Sequence, residues 1–138
     1  MEWLLLLLSL ARSVSRPSRS CELTAREYTY RGSMKISPGD MALLRAGKKT
    51  CTVRLGMASV ASDQIVMTDG RSSVPVRILK VDTSRCFKDL TDQDAMDEGF
   101  QTREELWKDL KHWYPRVLDQ DPVTVIYFER LETGASIA

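Results

Sequence analysis

The segment Val123-Thr124-Val125-Ile126-Tyr127-Phe128 constrains this chain more than any other, because an unbroken β-branched and aromatic run of six is a poor helix and a good strand fit for a barrel's interior. It lies near the end of 138 residues, a length that suits one domain with one core. The segments before it alternate between helical and extended patterns. Ser37-Pro38 opens a helix, with Met41, Leu43 and Leu44 as its apolar stripe and Gly47 as its stop. Lys48 to Arg54 then alternates polar with apolar. It reads as a strand that turns Thr50, Thr52 and Arg54 to one face, and Cys51, Val53 and Leu55 to the core.

Gln64 to Met67 and Val74 to Val81 read as two strands joined by a turn at Thr68-Asp69-Gly70. Val76, Ile78 and the stem of Lys80 alternate with Arg77, Leu79 and Val81, as in a strand partly covered on both sides. Two capping boxes follow. Thr91 with Asp94 opens a short helix that Gly99 ends, and Thr102 with Glu105 opens a longer one through Trp113, which Pro115 terminates. Leu106, Leu110 and Trp113 recur at helical spacing, with Trp107 and Tyr114 beside them, and packing on the sheet is the expected role of this stripe. A mixed α+β fold is the expectation, and no repeat interrupts it.

Composition narrows the chemistry. Twenty basic against nineteen acidic residues give a net charge of +1, so any nucleic-acid contact must be local. The three cysteines, Cys21, Cys51 and Cys86, are odd in number and form no CxxC pair, and the single histidine, His112, sits in a helix. A zinc site or a disulfide framework is therefore not expected, and Cys51 reads as a small buried hydrophobe. Residues 1–33 differ from the rest. An apolar run from Trp3 to Leu8 is too short to span a membrane, and an Arg/Ser-rich stretch through Arg12, Arg16 and Arg19 follows it. This extension reads equally as signal-like, transit-like or disordered, and a cytoplasmic or nuclear location applies if it is no targeting signal. Residues 34–132 form the expected domain, and 133–138 a short tail.

Three ordered blocks carry a resemblance. Gly47, Lys49, Thr52 and Arg54 form G-x-K-x-x-T-x-R between helix and strand. Phe87 to Asp92 runs on through Asp94-Ala95 and Glu98-Gly99-Phe100 to Glu104-Glu105-Leu106 and Tyr114-Pro115, and Val123 to Glu129 closes the set. Over about 95 residues the chain resembles the ASCH domains, which are related in fold to the PUA domains of RNA-modifying enzymes. The resemblance implies a small PUA-like mixed β-barrel with flanking helices, whose polar cleft receives RNA or a modified nucleoside without metal or cofactor. One ASCH subgroup hydrolyses the amide of N4-acetylcytidine with a lysine, a threonine and a glutamate. By motif these positions are Lys49, Thr52 and Glu98, with Thr52 as nucleophile, Lys49 taking its proton and Glu98 serving the leaving nitrogen.

Arg54 would hold an oxygen or a phosphate, within a basic patch with Arg45, Lys48, Lys49 and Arg77 that would give RNA salt-dependent affinity, and Gly47 joins Arg45, Lys48 and Arg54 as a substrate- or RNA-binding position. A non-catalytic RNA-binding module is the alternative. Another is a protein-interaction module docking a partner through Trp107, Trp113 and Tyr114. Two details test the resemblance. The sequence departs from the pattern over Met57 to Ser62, and plain alternation would put Lys48 rather than Lys49 beside Thr52, so the backbone just after Gly47 must be irregular.

Overall fold

The structure is a computed structural model that describes residues 27–131. Among the described residues seven strands and three helices run in the order β1 (Glu27–Tyr30), β2 (Ser33–Lys35), α1 (Pro38–Arg45), β3 (Cys51–Leu55), β4 (Met57–Val60), β5 (Gln64–Thr68), β6 (Ser73–Cys86), α2 (Asp92–Glu98), α3 (Arg103–Trp113) and β7 (Pro122–Arg130). A single 3-10 turn, Phe87–Asp89, joins β6 to α2. The main sheet has the order β2-β5-β6-β7-β3, and β1 pairs with β4 in a separate two-stranded sheet. Among the described residues this ladder is open, with β2 and β3 at its edges. The class is the mixed α+β expected, built from two sheets rather than one closed ladder.

The Val123 to Phe128 run lies in β7, an interior strand paired with β6 on one side and β3 on the other. Residues of β7 alternate between two cores because successive side chains of a strand point to opposite faces. Ile126 and Phe128 join Met34, Ile36, Met41, Leu44, Ile65, Met67, Val74 and Val76 under α1. Val123 and Val125 join Cys51, Val53, Phe87, Leu90, Ala95, Leu106 and Leu110 under α2 and α3. Each such side chain contributes roughly 1.5–3 kcal/mol by leaving water, so a strand buried on both faces anchors both halves of the molecule.

The capping signals do what their chemistry dictates. Ser37 Oγ accepts from Asp40 N at 3.0 Å. Thr91 and Asp94 bond reciprocally, as do Thr102 and Glu105. Several expectations change. The folded region starts before Met34, since β1 and β2 include residues of the N-terminal extension; the rest of that extension and the tail lie outside the described residues. Met57 to Val60, within the stretch that departs from the family pattern, is a strand parallel to β1. Strand β6 continues to Cys86, past Val81, through register shifts between Ile78 and Lys80 and between Asp82 and Arg85. Cys86 is buried and disulfide-bonded, a bond that runs against the expectation of no disulfide framework, whereas Cys51 is a free, fully buried thiol. No helix among the described residues is long and apolar enough to cross a membrane.

Candidate functional site

Two helix ends build the site. After α1, Gly47 takes the left-handed conformation at φ 77°. Its N–H donates to Leu44 O at 3.0 Å and that of Lys48 to Leu43 O at 2.9 Å. After α2, Gly99 at φ 104° repeats the device, with Gly99 N bonding Met96 O at 3.0 Å and Phe100 N bonding Ala95 O at 2.8 Å. Both are Schellman closures, which need a residue that tolerates positive φ. Thr50 N donates to Asp97 O at 2.6 Å and so ties the two turns together. This is the irregular backbone the motif demands: β3 begins only at Cys51, and Lys49 is free to turn inward ahead of it.

Lys49 and Glu98, 2% and 4% exposed, consequently meet as a buried ion pair through Nζ and Oε1. Glu98 Oε2 accepts from Val53 N at 2.6 Å, which locks the carboxylate onto the strand beside Thr52. Burial pushes the Glu98 carboxyl above its usual range, while the Lys49 charge and the Val53 N–H pull it back. Thr52, 3% exposed, lines a cleft of about 510 Å³ with Glu98, Val53 and Arg54. Arg54 Nε donates to Thr52 Oγ1 at 3.3 Å and Arg54 Nη2 to Lys35 O at 2.9 Å, with the guanidinium 5.6 Å from the Tyr30 ring centre. The hydroxyl therefore accepts a bond from a fixed cation and keeps its own hydrogen to give.

Of the residues singled out from sequence, Lys49, Thr52, Glu98 and Arg54 come together. Arg45, Gly47 and Lys48 are exposed around the end of α1 and do not line the cleft. Arg77 sits in an exposed pair with Glu129 at 3.6 Å. The basic patch is thus divided, with its lysine at position 49 already neutralised. The aromatic stripe is divided too. Trp107 stacks on Phe87, with ring centres 5.3 Å apart and Arg103 over its other face at 4.4 Å, while Trp113, 53% exposed, and Tyr114 line the cleft. Packing was the expected role of all these aromatics, and Trp113 departs from it.

Sequence reasoning passed over three acids in the same cleft: Asp40 from the first turn of α1, Asp69 from the β5–β6 turn and Asp109 from α3. Asp109 left a signal, since it lies three residues after Leu106 and four before Trp113, a carboxylate set into an apolar face. Asp69 Oδ1 accepts from Arg71 N at 2.9 Å and Ser72 N at 2.8 Å, bonds that hold its carboxyl below the ordinary range. Asp109 is pushed the other way, by burial and by the negative charge of Asp40. No group of three or more residues able to hold a metal occurs among the described residues.

An open mixed sheet with helices at its two cores and a polar cleft at the end of β3 defines an α+β domain. Among solved structures the chain is similar to an ASCH domain from Lactobacillus crispatus, at 14% identity and TM-score 0.60 over 91% of each chain. It is also similar to a hypothetical protein at 20% identity and TM-score 0.57, over 74% of this chain and all of that one. A protein from Enterococcus faecalis matches at 17% identity and TM-score 0.52, over 74% of this chain and 73% of that one. No family model and no curated protein matches the sequence. The chain therefore has an ASCH-like fold.

Proposed function

We propose that this domain binds a modified nucleoside in the Thr52 cleft and hydrolyses N4-acetylcytidine to cytidine and acetate. The observation that carries the reading is the buried Lys49–Glu98 pair set against the strand that presents Thr52. A lysine and a glutamate in a low-dielectric site can exchange one proton between them, because burial disfavours separated charges and raises the carboxyl. In the neutral form Lys49 is an amine that can accept a proton, and Glu98 is an acid that can give one.

The reaction then balances. Thr52 Oγ attacks the acetyl carbonyl, and its proton passes to Lys49. The carbon–nitrogen bond breaks as Glu98 protonates the departing N4, which leaves an acetyl ester on Thr52 and the Lys49–Glu98 pair in its charged form. Water hydrolyses the ester, the hydroxyl regains its hydrogen, and proton transfer within the pair restores the neutral form. Arg54, bonded to Thr52 Oγ1, steadies negative charge at that oxygen or at the carbonyl oxygen.

RNA recognition by a domain of this fold is the second reading, and the exposed Arg45 and Lys48 are what favour it. Incubating the protein with N4-acetylcytidine and following cytidine release separates the two. Release that disappears in Lys49→Ala supports hydrolysis. Absence of release, with RNA binding that weakens as salt rises and in Arg54→Ala, supports recognition alone.

A further inference from the structure

The acids that sequence reasoning passed over bear on which form of nucleoside the cleft accepts. Its lining carries the cations Lys35 and Arg54 and the carboxylates Asp40, Asp69, Asp109 and Glu98. Lys49 offsets Glu98 from beneath. Arg54 is already spoken for by Thr52 Oγ1, the Lys35 carbonyl and the Tyr30 ring. Three carboxylates on three separate elements thus face a cleft in which Lys35, itself exposed, is the lining cation with no side-chain hydrogen bond or ion pair among the described residues.

The geometry points to a cleft that selects a neutral, phosphate-free nucleoside, with Asp109 and Asp40 accepting hydrogen bonds from its sugar hydroxyls or base N–H groups and repelling a phosphate. An ionised carboxylate has only acceptors to offer, so it rewards a donor-bearing ligand and penalises an anion. Position supports this. Asp109 and Asp40 share the cleft with Trp113 and Tyr114, flat surfaces on which a base or sugar can lie. Asp69 is fixed at the cleft by backbone bonds and keeps its charge in neutral solution. A phosphodiester lying in this cleft would face three carboxylates, Asp40, Asp69 and Asp109, against two cations, Lys35 and Arg54, of which Arg54 is held in place by its contacts to Thr52 and Lys35.

This inference rests on the nucleoside reading above, and the test keeps the two apart. Calorimetry on the full chain carrying Thr52→Ala, which removes turnover, measures binding of N4-acetylcytidine, its 5′-monophosphate and a short RNA containing the acetylated base. The nucleoside is expected to bind about tenfold or more tightly than the monophosphate, a preference of the size one or two nearby charges produce. Adding Asp40→Asn and Asp109→Asn should narrow that ratio several-fold by strengthening monophosphate binding, a gain that mere damage to the fold cannot give. Equal binding of nucleoside and monophosphate, or a ratio untouched by the double substitution, overturns the selectivity while leaving the nucleoside reading intact. Failure of all three ligands to bind overturns both.

Discussion

The short helix α2 carries a buried carboxylate at each end, and each meets a cation from outside the helix, yet the two pairs differ in how completely they are satisfied. At the N-terminal end Asp94 accepts from Thr91 N at 2.8 Å, Thr91 Oγ1 at 3.0 Å and Arg85 Nη1 at 2.6 Å. Arg85 also reaches Tyr127 Oη at 3.1 Å and lies 3.3 Å from Asp82. That cluster closes a capping box and ties α2 to β6 and β7. At the C-terminal end Glu98 has Lys49 and one backbone N–H, and it lines an open cleft next to a threonine. A buried charge pair alone says little about function. What separates them is access: Asp94 is surrounded by its own donors, whereas Glu98 faces a cavity large enough for a ligand.

Substitutions at the two ends of α2 should therefore fail differently. Glu98→Gln keeps the shape and the acceptor for Val53 N but removes the transferable proton and leaves Lys49 buried without a counter-charge, so cytidine release should fall by about 10²–10⁴-fold in folded protein, alongside a stability loss of roughly 3 kcal/mol. Release kept at the parental rate would make the two ends alike and lose the contrast. Asp94→Ala should act on the fold alone and leave release by the folded protein near the parental rate. It strands a partly buried Arg85 and opens the N-terminus of α2, with a loss of roughly 2–4 kcal/mol in denaturant titration. A variant as stable as the parent would show that the cluster contributes nothing to the fold.

Much of this was legible in the sequence wherever the determinants are local. Ser37-Pro38, Thr91 with Asp94, Thr102 with Glu105, and both closing glycines lie within a few residues of what they cap, and each helix appears where those signals place it. The Val123 to Phe128 run was legible because β-branched and aromatic side chains belong on a pleated surface. What escaped depends on pairing across the chain. Nothing near Met57 to Val60 announces that it will pair with Glu27 to Tyr30, thirty residues earlier. Asp40, Asp69 and Asp109 share no spacing and meet because α1, the β5–β6 turn and α3 converge on one cleft. The sequence suits Lys49 both to a reactive lysine and to a basic patch, and its burial against Glu98 takes it out of any exposed patch.

A smaller effect sharpens the same comparison at the turn after Glu98. Gly99 sits at φ 104°, and a Cβ there would come within 2.8 Å of Leu43 Cδ1. Gly99→Ala should cost about 1–2 kcal/mol from backbone strain, eased as the flexible Leu43 side chain shifts. Because that turn presents Glu98, turnover should suffer more than stability does. Gly47→Ala has an open position, with nothing within 4 Å of the added Cβ, and should cost only the strain of its positive φ, about 1 kcal/mol. Thermal melts of the two variants compare them, and equal losses would mean that the contact with Leu43 is immaterial.

The most direct measurement is cytidine release from N4-acetylcytidine by the full chain and by Thr52→Ala, with calorimetric binding run on both. The account predicts release by the parent, at least a thousandfold less by the variant, and nucleoside binding kept within a few-fold. Release that continues unchanged in Thr52→Ala would contradict it, because the buried Lys49–Glu98 pair would then be serving some nucleophile other than the threonine beside it.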